Sequence, residues 1–141
     1  MRKDVAALVQ AIIDAPDHPA SWMPALKTLR AEPKGQDKFD DLEIVVTTFS
    51  GGTGANFFEL AIDIQLQLLR EAGTARGNTV SDVRLRRDLI WLYATSGRSE
   101  LALTEQRNLW ETIAGDTNAP GHIEAQRALG ELAKEFPALR Y

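Results

Sequence analysis

Residues 59–73 read ELAIDIQLQLLREAG, and residues 100–114 read ELALTEQRNLWETIA. The two segments start 41 residues apart and match without a gap at five pairs of positions: Glu59/Glu100, Leu60/Leu101, Ala61/Ala102, Gln65/Gln106 and Leu68/Leu109. Each segment follows a Ser-Gly pair, Ser50-Gly51 for the first and Ser96-Gly97 for the second. A helical segment that recurs at such a period predicts stacked antiparallel helical hairpins, an architecture that usually forms binding surfaces.

The composition indicates an ordinary globular chain of one domain. Its 141 residues include 44% hydrophobic and 26% charged residues, enough to build a core without disulfides or metals. The net charge of −4 argues against general nucleic-acid binding. The chain has no cysteine, which excludes thiolate chemistry and fits a reducing, bacterial-type cytoplasm. No apolar run reaches the roughly 18 residues of a membrane span, so we expect no membrane contact and a cytoplasmic location.

Apolar residues recur at helical spacing and predict an all-α fold of six to seven helices. A polar loop near residues 32–37 divides the predicted single domain into an N-terminal hairpin, 1–34, and a part, 38–136, with two further hairpins and a C-terminal helix. The predicted helices span about 4–14, 19–32, 38–50, 56–72, 81–95, 99–113 and 122–136. The residues expected to face inward in the last three are Leu85, Leu89, Ile90, Leu92 and Tyr93, then Leu101, Ala102, Leu109 and Ile113, then Ile123, Ala125, Leu129 and Leu132.

Residues 38–50 carry two conflicting patterns. Phe39, Leu42, Val46 and Phe49 form a helical stripe, whereas residues 44–48 are a β-branched run that favours a strand. No other segment is a good strand, and a lone strand cannot pair its backbone. We therefore expect a helix here, with a strand as the open alternative.

Residues 89–103 resemble a tetratricopeptide repeat, and the resemblance is clearest over residues 85–113. That family pairs antiparallel helices with large apolar residues in the first, a glycine turn, and a small residue early in the second. Leu89 and Tyr93 match the large residues, Gly97 the turn, and Ala102 the small residue. The 41-residue period exceeds the family's usual 34. The resemblance implies either a tetratricopeptide-like superhelix or an irregular helical bundle that serves as a protein-interaction module.

A glycine-rich stretch, Ser50–Gly54, follows an apolar run and precedes a helix. Glycines at that place can cradle a phosphate on backbone N–H groups. No lysine follows them as in a Walker loop, and no βα units surround them. A turn between helices is the interpretation we favour, with nucleotide or phosphate binding, or a transferase fragment, as the alternative.

Positive charge is concentrated in residues 70–98 of this acidic chain. Six arginines (70, 76, 84, 86, 87 and 98) face three acids there, which leaves a local charge of +3. Arg84, Arg87 and Trp91 are spaced i, i+3, i+7 and share one helix face. The repeat resemblance implies that this face lines a groove. Arginine binds carboxylates well and tryptophan is a good apolar anchor, so these three predict a site for an acidic or C-terminal segment of another protein. Solvated surface arginines and a core tryptophan are the competing interpretation.

No residue pattern indicates catalysis, a metal or a cofactor. The two histidines, His18 and His122, lie far apart in sequence, and no metal-binding spacing is present. The acidic residues are scattered and form no distinguishable pair. The sequence therefore predicts a non-catalytic adaptor or docking subunit that uses no cofactor and binds a peptide or partner helix. A structural subunit that forms homo-oligomers through exposed apolar faces is a further alternative.

Overall fold

The computed structural model describes residues 2–51, 57–72 and 80–139. Within these ranges the chain is helical and contains no strand, which confirms the all-α prediction with seven α-helices. The helices are α1 (Lys3–Asp14), α2 (Met23–Arg30), α3 (Gln36–Ser50), α4 (Phe58–Glu71), α5 (Val80–Thr95), α6 (Ser99–Leu109) and α7 (His122–Glu135). Pro19–Ser21 and Pro137–Leu139 form 3-10 turns, and Trp110–Ala114 extends α6 as a π-helical segment.

The ambiguous segment 42–50 is helical and belongs to α3. Its hydroxyls bond to carbonyls one turn back: Thr48 Oγ1 donates to Ile44 at 2.9 Å and Ser50 Oγ to Val46 at 2.8 Å. Val45 and Val46 are buried. Burial of one such side chain contributes about 1.5–3 kcal/mol, whereas β-propensity spans only about 1 kcal/mol. Packing of the apolar face therefore outweighs the local strand preference.

Contacts within the chain define two compact units, residues 1–68 and residues 69–141. The division falls inside α4. In the first unit α1 and α2 contact each other and both contact α3. The predicted boundary near residues 34–38 therefore lies within the first unit, between helices that pack together.

Trp22 is the largest buried side chain of the first unit. It is 1% exposed, and its indole Nε1 donates a hydrogen bond to the carbonyl of Ala15 at 3.0 Å, just after α1 ends. Its ring lies 5.4 Å from Phe49 and 5.7 Å from Phe57, measured between centroids. These tilted aromatic contacts join the start of α2 to the end of α3 and the start of α4.

A polar network joins the ends of three helices in the same unit. Arg2 donates to Glu32 at 2.8 Å and contacts Asp41 at 2.6 and 2.8 Å. Lys38, itself buried, donates to the backbone carbonyl of Glu32 at 2.6 Å. The hydrogen bonds to Glu32 and Asp41 raise the pKa of the Arg2 guanidinium. Arginine is charged at every working pH, so this raised pKa creates no pH switch.

The second unit is built on the α5–α6 hairpin. α5 ends in a Schellman motif: Arg98 N–H bonds to the Tyr93 carbonyl at 2.8 Å, and Gly97 N–H to that of Ala94 at 3.2 Å. Gly97 has φ of +81°, a left-handed conformation that glycine adopts without a steric cost. Directly after the turn, Ala102 is fully buried where α5 and α6 pack. This confirms the predicted turn and the predicted burial of Ala102, and Ala61 is fully buried as well.

The C-terminal helix has clear partners, which the sequence did not reveal. α7 packs against α5 and the π-helical segment, and the turn Pro137–Leu139 packs against α6 and α7. The buried Gln106 side chain donates to the Leu139 carbonyl, and Gln126 donates to the Ala114 carbonyl at 3.1 Å. These amide hydrogen bonds fix the end of the described chain to the body of the second unit.

Two residues expected to face inward are exposed. Leu101 is 49% and Ile123 64% exposed, whereas the other members of the predicted sets in α5, α6 with its π-helical extension, and α7 are buried. Each of the two lies in the first turn of its helix, one or two residues before the buried alanine of the apolar stripe. A 100° step per residue turns these positions away from the helices that cover the stripe.

We expect Asp41→Ala to lower the melting temperature by about 5 °C, because it removes a nearly buried acceptor and leaves Arg2 with only Glu32. Asp40→Ala is the matched control. Asp40 is exposed and accepts one hydrogen bond from Gln36, so its removal should shift the melting temperature far less. Equal shifts in a calorimetric scan would contradict the role of the network.

We expect Ala102→Leu to overpack the α5–α6 contact and to cost about 1–3 kcal/mol in the free energy of unfolding. Ala7→Leu, at an exposed position of α1, makes the same chemical change and should cost little. Chemical denaturation of both variants measures the difference. A stability of the Ala102 variant equal to that of the wild type would show that the two helices do not meet closely there.

Candidate functional site

The three residues singled out from the sequence lie on the accessible face of α5. Arg84 is exposed, Arg87 has a side chain 38% exposed, and Trp91 is half-buried. Most of the other side chains of α5 lie in the core. The buried ones include Val83, Leu85, Leu89, Ile90, Leu92 and Tyr93. Trp91 is therefore a partly accessible aromatic residue on a helix that is otherwise mostly enclosed.

This face and the facing side of α7 line a groove made of two adjoining depressions. The first, of about 190 Å³, is lined by Val83, Arg84 and Arg87 together with Glu124, Arg127, Ala128 and Glu131. The second, of about 200 Å³, is lined by Arg87, Asp88 and Trp91 together with Glu131, Leu132 and Glu135. Arg87 and Glu131 belong to both. Successive residues of α5 meet successive residues of α7, so the two helices run parallel along what we call the α5–α7 groove.

The residues that form the two walls of the groove occupy corresponding positions on α5 and α7. A shift of 40 residues superimposes buried Leu85, Leu89 and Leu92 on buried Ala125, Leu129 and Leu132. The same shift takes Arg84, Arg87 and Trp91 to Glu124, Arg127 and Glu131, all lining residues. The buried residues are alike and the groove residues differ in charge. The match is limited to these positions, because Val83 and Ile90 are buried whereas Ile123 and Gly130, 40 residues later, are exposed.

Charge is distributed unevenly along the groove. The first depression has three arginines (84, 87 and 127) and two glutamates (124 and 131), a balance of +1. The second has Arg87 against Asp88, Glu131 and Glu135, a balance of −2, and it contains the apolar surface of Trp91 and Leu132. Arg87 is already held by Asp88, with 3.0 and 3.1 Å between guanidinium nitrogens and the carboxylate. Arg87 and Glu131 count in both halves, so the groove has Arg84 and Arg127 at one end and an excess of acidic side chains around Trp91 at the other.

Of the other described arginines in the 70–98 region, Arg70, Arg86 and Arg98 are not among the residues that line this groove. Arg86 forms an ion pair with Asp82 of the preceding turn at 2.7 Å. Arg70 is exposed on α4, and Arg76 lies outside the described residues. Proximity in sequence therefore predicted a larger arginine cluster than the structure has. The acidic wall of the groove, formed by Glu124, Glu131 and Glu135 of α7, was not predicted. The sequence does indicate that α7 resembles α5, because Leu85-x-x-x-Leu89 recurs 40 residues later as Ala125-x-x-x-Leu129.

α3 repeats the burial pattern of α5 with a shift of 44 residues. The paired buried positions are Lys38/Asp82, Asp41/Leu85, Val45/Leu89, Val46/Ile90, Thr48/Leu92 and Phe49/Tyr93. The positions that correspond to Arg84, Arg87 and Trp91 are Asp40, Glu43 and Thr47, and these line an open depression of about 530 Å³ in the first unit. The same helix face is acidic there, where the face of α5 is basic and aromatic.

The glycine-rich stretch does not follow a strand. Ser50 ends α3 and its hydroxyl is bonded to Val46, and Gly51 comes directly after the helix. Gly52, Thr53 and Gly54 lie outside the described residues. A phosphate site of the predicted kind needs a strand before the glycine loop and a helix after it. The helix α3 stands where that strand would be, which removes the main structural argument for a phosphate site at Ser50–Gly54.

The described residues contain neither a metal-binding cluster nor a membrane-spanning helix. Across residues 2–51, 57–72 and 80–139, no three histidine or acidic side chains come together as a metal site would need. His122 lies 3.4 Å from the Ile113 carbonyl through Nδ1, at the start of α7, and His18 is exposed before the first 3-10 turn. None of the described helices is long and apolar enough to cross a membrane.

No protein-family model, no curated protein and no solved structure matches this chain. The residues of the groove and the repeated pattern of the helices that build it are therefore the basis for assigning a function.

We expect titration with common nucleotides and nucleotide sugars to produce no heat of binding at sub-millimolar concentrations. The reason is that the glycines follow a helix and lack a lysine partner. Isothermal titration calorimetry is the measurement, with inorganic phosphate as a further ligand. A saturable signal that disappears in a Gly52→Ala/Gly54→Ala variant would instead establish the phosphate-binding alternative.

Proposed function

We propose that this protein is a non-catalytic protein-interaction module, an adaptor or docking subunit, that binds a peptide or partner helix in the α5–α7 groove. Arg84, Arg87 and Trp91 are the proposed partner-binding residues, and an acidic or C-terminal segment of another protein is the proposed ligand. The observation that carries this proposal is the half-buried Trp91, which lies between charged residues in a groove whose two walls are equivalent helix faces.

The form of the groove supports a macromolecular ligand. Its two depressions, of about 190 and 200 Å³, adjoin at Arg87 and Glu131, so each would hold one or two side chains of a longer chain that crosses both. A partner that crosses both halves would bury the accessible part of Trp91, and tryptophan and arginine are the residue types that most often dominate interface energies.

The recurrence of burial patterns supports the tetratricopeptide-like architecture. The shifts of 44 residues from α3 to α5 and 40 residues from α5 to α7 bracket the 41-residue sequence repeat of α4 and α6. In repeat proteins each unit buries one face against its neighbours, and the free faces of successive helices form an extended binding surface. The groove residues vary in charge from helix to helix while the buried residues stay apolar in α5 and α7, as a binding face on a constant scaffold would require.

Two rival functions have different structural support. Self-association is favoured by exposed apolar side chains of the second unit, Leu101, Leu103, Trp110 and Ile123. Leu103 and Trp110 lie seven residues apart and so share a face of α6 and its extension. Solution mass measured against concentration tests a structural, oligomerising subunit.

Phosphate or nucleotide binding has less support, because the glycines follow a helix and not a strand. The titration described above tests it. Cytoplasmic location stays part of the proposal.

Replacement of Arg84 and Arg87 by Ala should weaken binding of the native partner at least tenfold and lower its salt sensitivity, because each desolvated charged contact contributes about 1–3 kcal/mol. Lys27→Ala/Arg107→Ala is the control: both residues are exposed helix residues outside the groove, and the net charge changes equally. Affinity is measured on partners recovered from the native source by crosslinking. If both double variants bind alike while circular dichroism is unchanged, the proposed groove is wrong.

A further inference from the structure

The uneven charge along the α5–α7 groove restricts the order of charged residues in a ligand that binds there. The end near Arg84 and Arg127 attracts carboxylates, whereas the end near Asp88, Glu131 and Glu135 repels them. A uniformly acidic segment would gain at one end and lose at the other, since like charges placed together oppose binding. The acidic wall of α7 therefore restricts the ligand more than the arginines of α5 alone would.

We propose that the groove selects an internal protein segment that carries an acidic residue at one end and an apolar residue next to a basic one at the other. This inference rests on the proposed function and specifies its ligand. The acidic side chain binds in the first depression beside Arg84 and Arg127. The apolar side chain covers Trp91 and Leu132, and the basic group reaches Glu131 and Glu135 at the edge of the second depression.

Helix geometry sets the spacing of these residues. Arg84 and Trp91 are seven residues apart on α5, which corresponds to about 10 Å along the helix axis. An extended chain advances about 3.3 Å per residue, so the acidic and apolar residues of the ligand are about three positions apart. In a partner helix that runs alongside α5 the same span takes about seven residues. The two spacings distinguish an extended ligand from a helical one.

Three charged residues of α7 are available to a ligand. In the described part of the chain no ion pair involves Arg127, Glu131 or Glu135, although all three lie on one face of α7. A ligand can therefore contact them without first breaking an ion pair within the chain. Arg87 differs, because Asp88 already holds it and fixes its guanidinium at the junction of the two depressions.

Selection of a random-peptide display library on the whole protein tests the inference. The segments are displayed with both ends fused, so that only internal segments are sampled. We expect enrichment of sequences with one acidic residue about three positions from an apolar–basic pair. Binding of an enriched peptide should also reduce acrylamide quenching of Trp91 in a Trp110→Phe variant, in which the remaining tryptophan, Trp22, is buried.

A charge-reversal variant tests the role of the acidic wall. Glu131→Lys/Glu135→Lys should change the enriched sequences from mixed to uniformly acidic, with at least a tenfold shift in relative affinity. Glu100→Lys/Glu111→Lys changes two exposed acids of α6 and its extension by the same charge and should leave the selected sequences unchanged.

The outcomes separate this inference from the proposed function. Enrichment of uniformly acidic or uniformly basic peptides that protect Trp91 would overturn the charge order and keep the groove. Enrichment only from a library with free carboxyl ends would overturn the internal segment and keep the groove. Two results would overturn both the charge order and the groove itself: enriched peptides that leave Trp91 unprotected, or no enrichment from either the internal-segment library or the library with free carboxyl ends.

Discussion

The packing of α5 against helices on two sides is the constraint on which the second unit and its groove depend. α6 covers one side after a Gly97 turn that requires a left-handed backbone, and α7 covers another. Between them they bury most of α5 and leave Arg84, Arg87 and Trp91 accessible. A helix enclosed in this way is held rigidly, so the accessible side chains are presented from a fixed support. Such preorganisation lowers the entropic cost of binding a partner.

Similar burial on α3, α5 and α7 separates what the fold requires from what varies. Part of their core keeps a common spacing, as Leu85, Leu89 and Leu92 of α5 correspond to Ala125, Leu129 and Leu132 of α7. The face that corresponds to Arg84, Arg87 and Trp91 reads Asp40, Glu43 and Thr47 on α3 and Glu124, Arg127 and Glu131 on α7. A charge on such a face is solvated and costs the fold little, so its sign is free to change. A change of volume at a buried position such as Ala102 is not tolerated in the same way.

The first unit relies on polar as well as apolar contacts. Trp22 fills its core and bonds to the end of α1, while Arg2, Lys38 and Asp41 join the helix ends around Glu32. Lys38 and Asp41 are nearly inaccessible, and each has a charged or backbone partner. Buried charges without partners would be strongly unfavourable, so these residues specify one arrangement of α1, α2 and α3 rather than simply adding stability.

The sequence by itself determined most of the helices, the Gly97 turn and the burial of Ala102, because these follow from local periodicity, turn chemistry and the repeat of residues 59–73 at 100–114. It also placed Arg84, Arg87 and Trp91 on one face. Only tertiary structure decided the rest. The helical state of residues 42–50 depends on burial of Val45 and Val46, which outweighs their strand preference. The acidic wall of the groove, and the bond from Gln106 to Leu139, depend on how α7 and the C-terminal turn pack. Contacts between residues 30 to 50 positions apart are not specified by the helical periodicity of the chain, since polar groups on such faces are set by their neighbours in space.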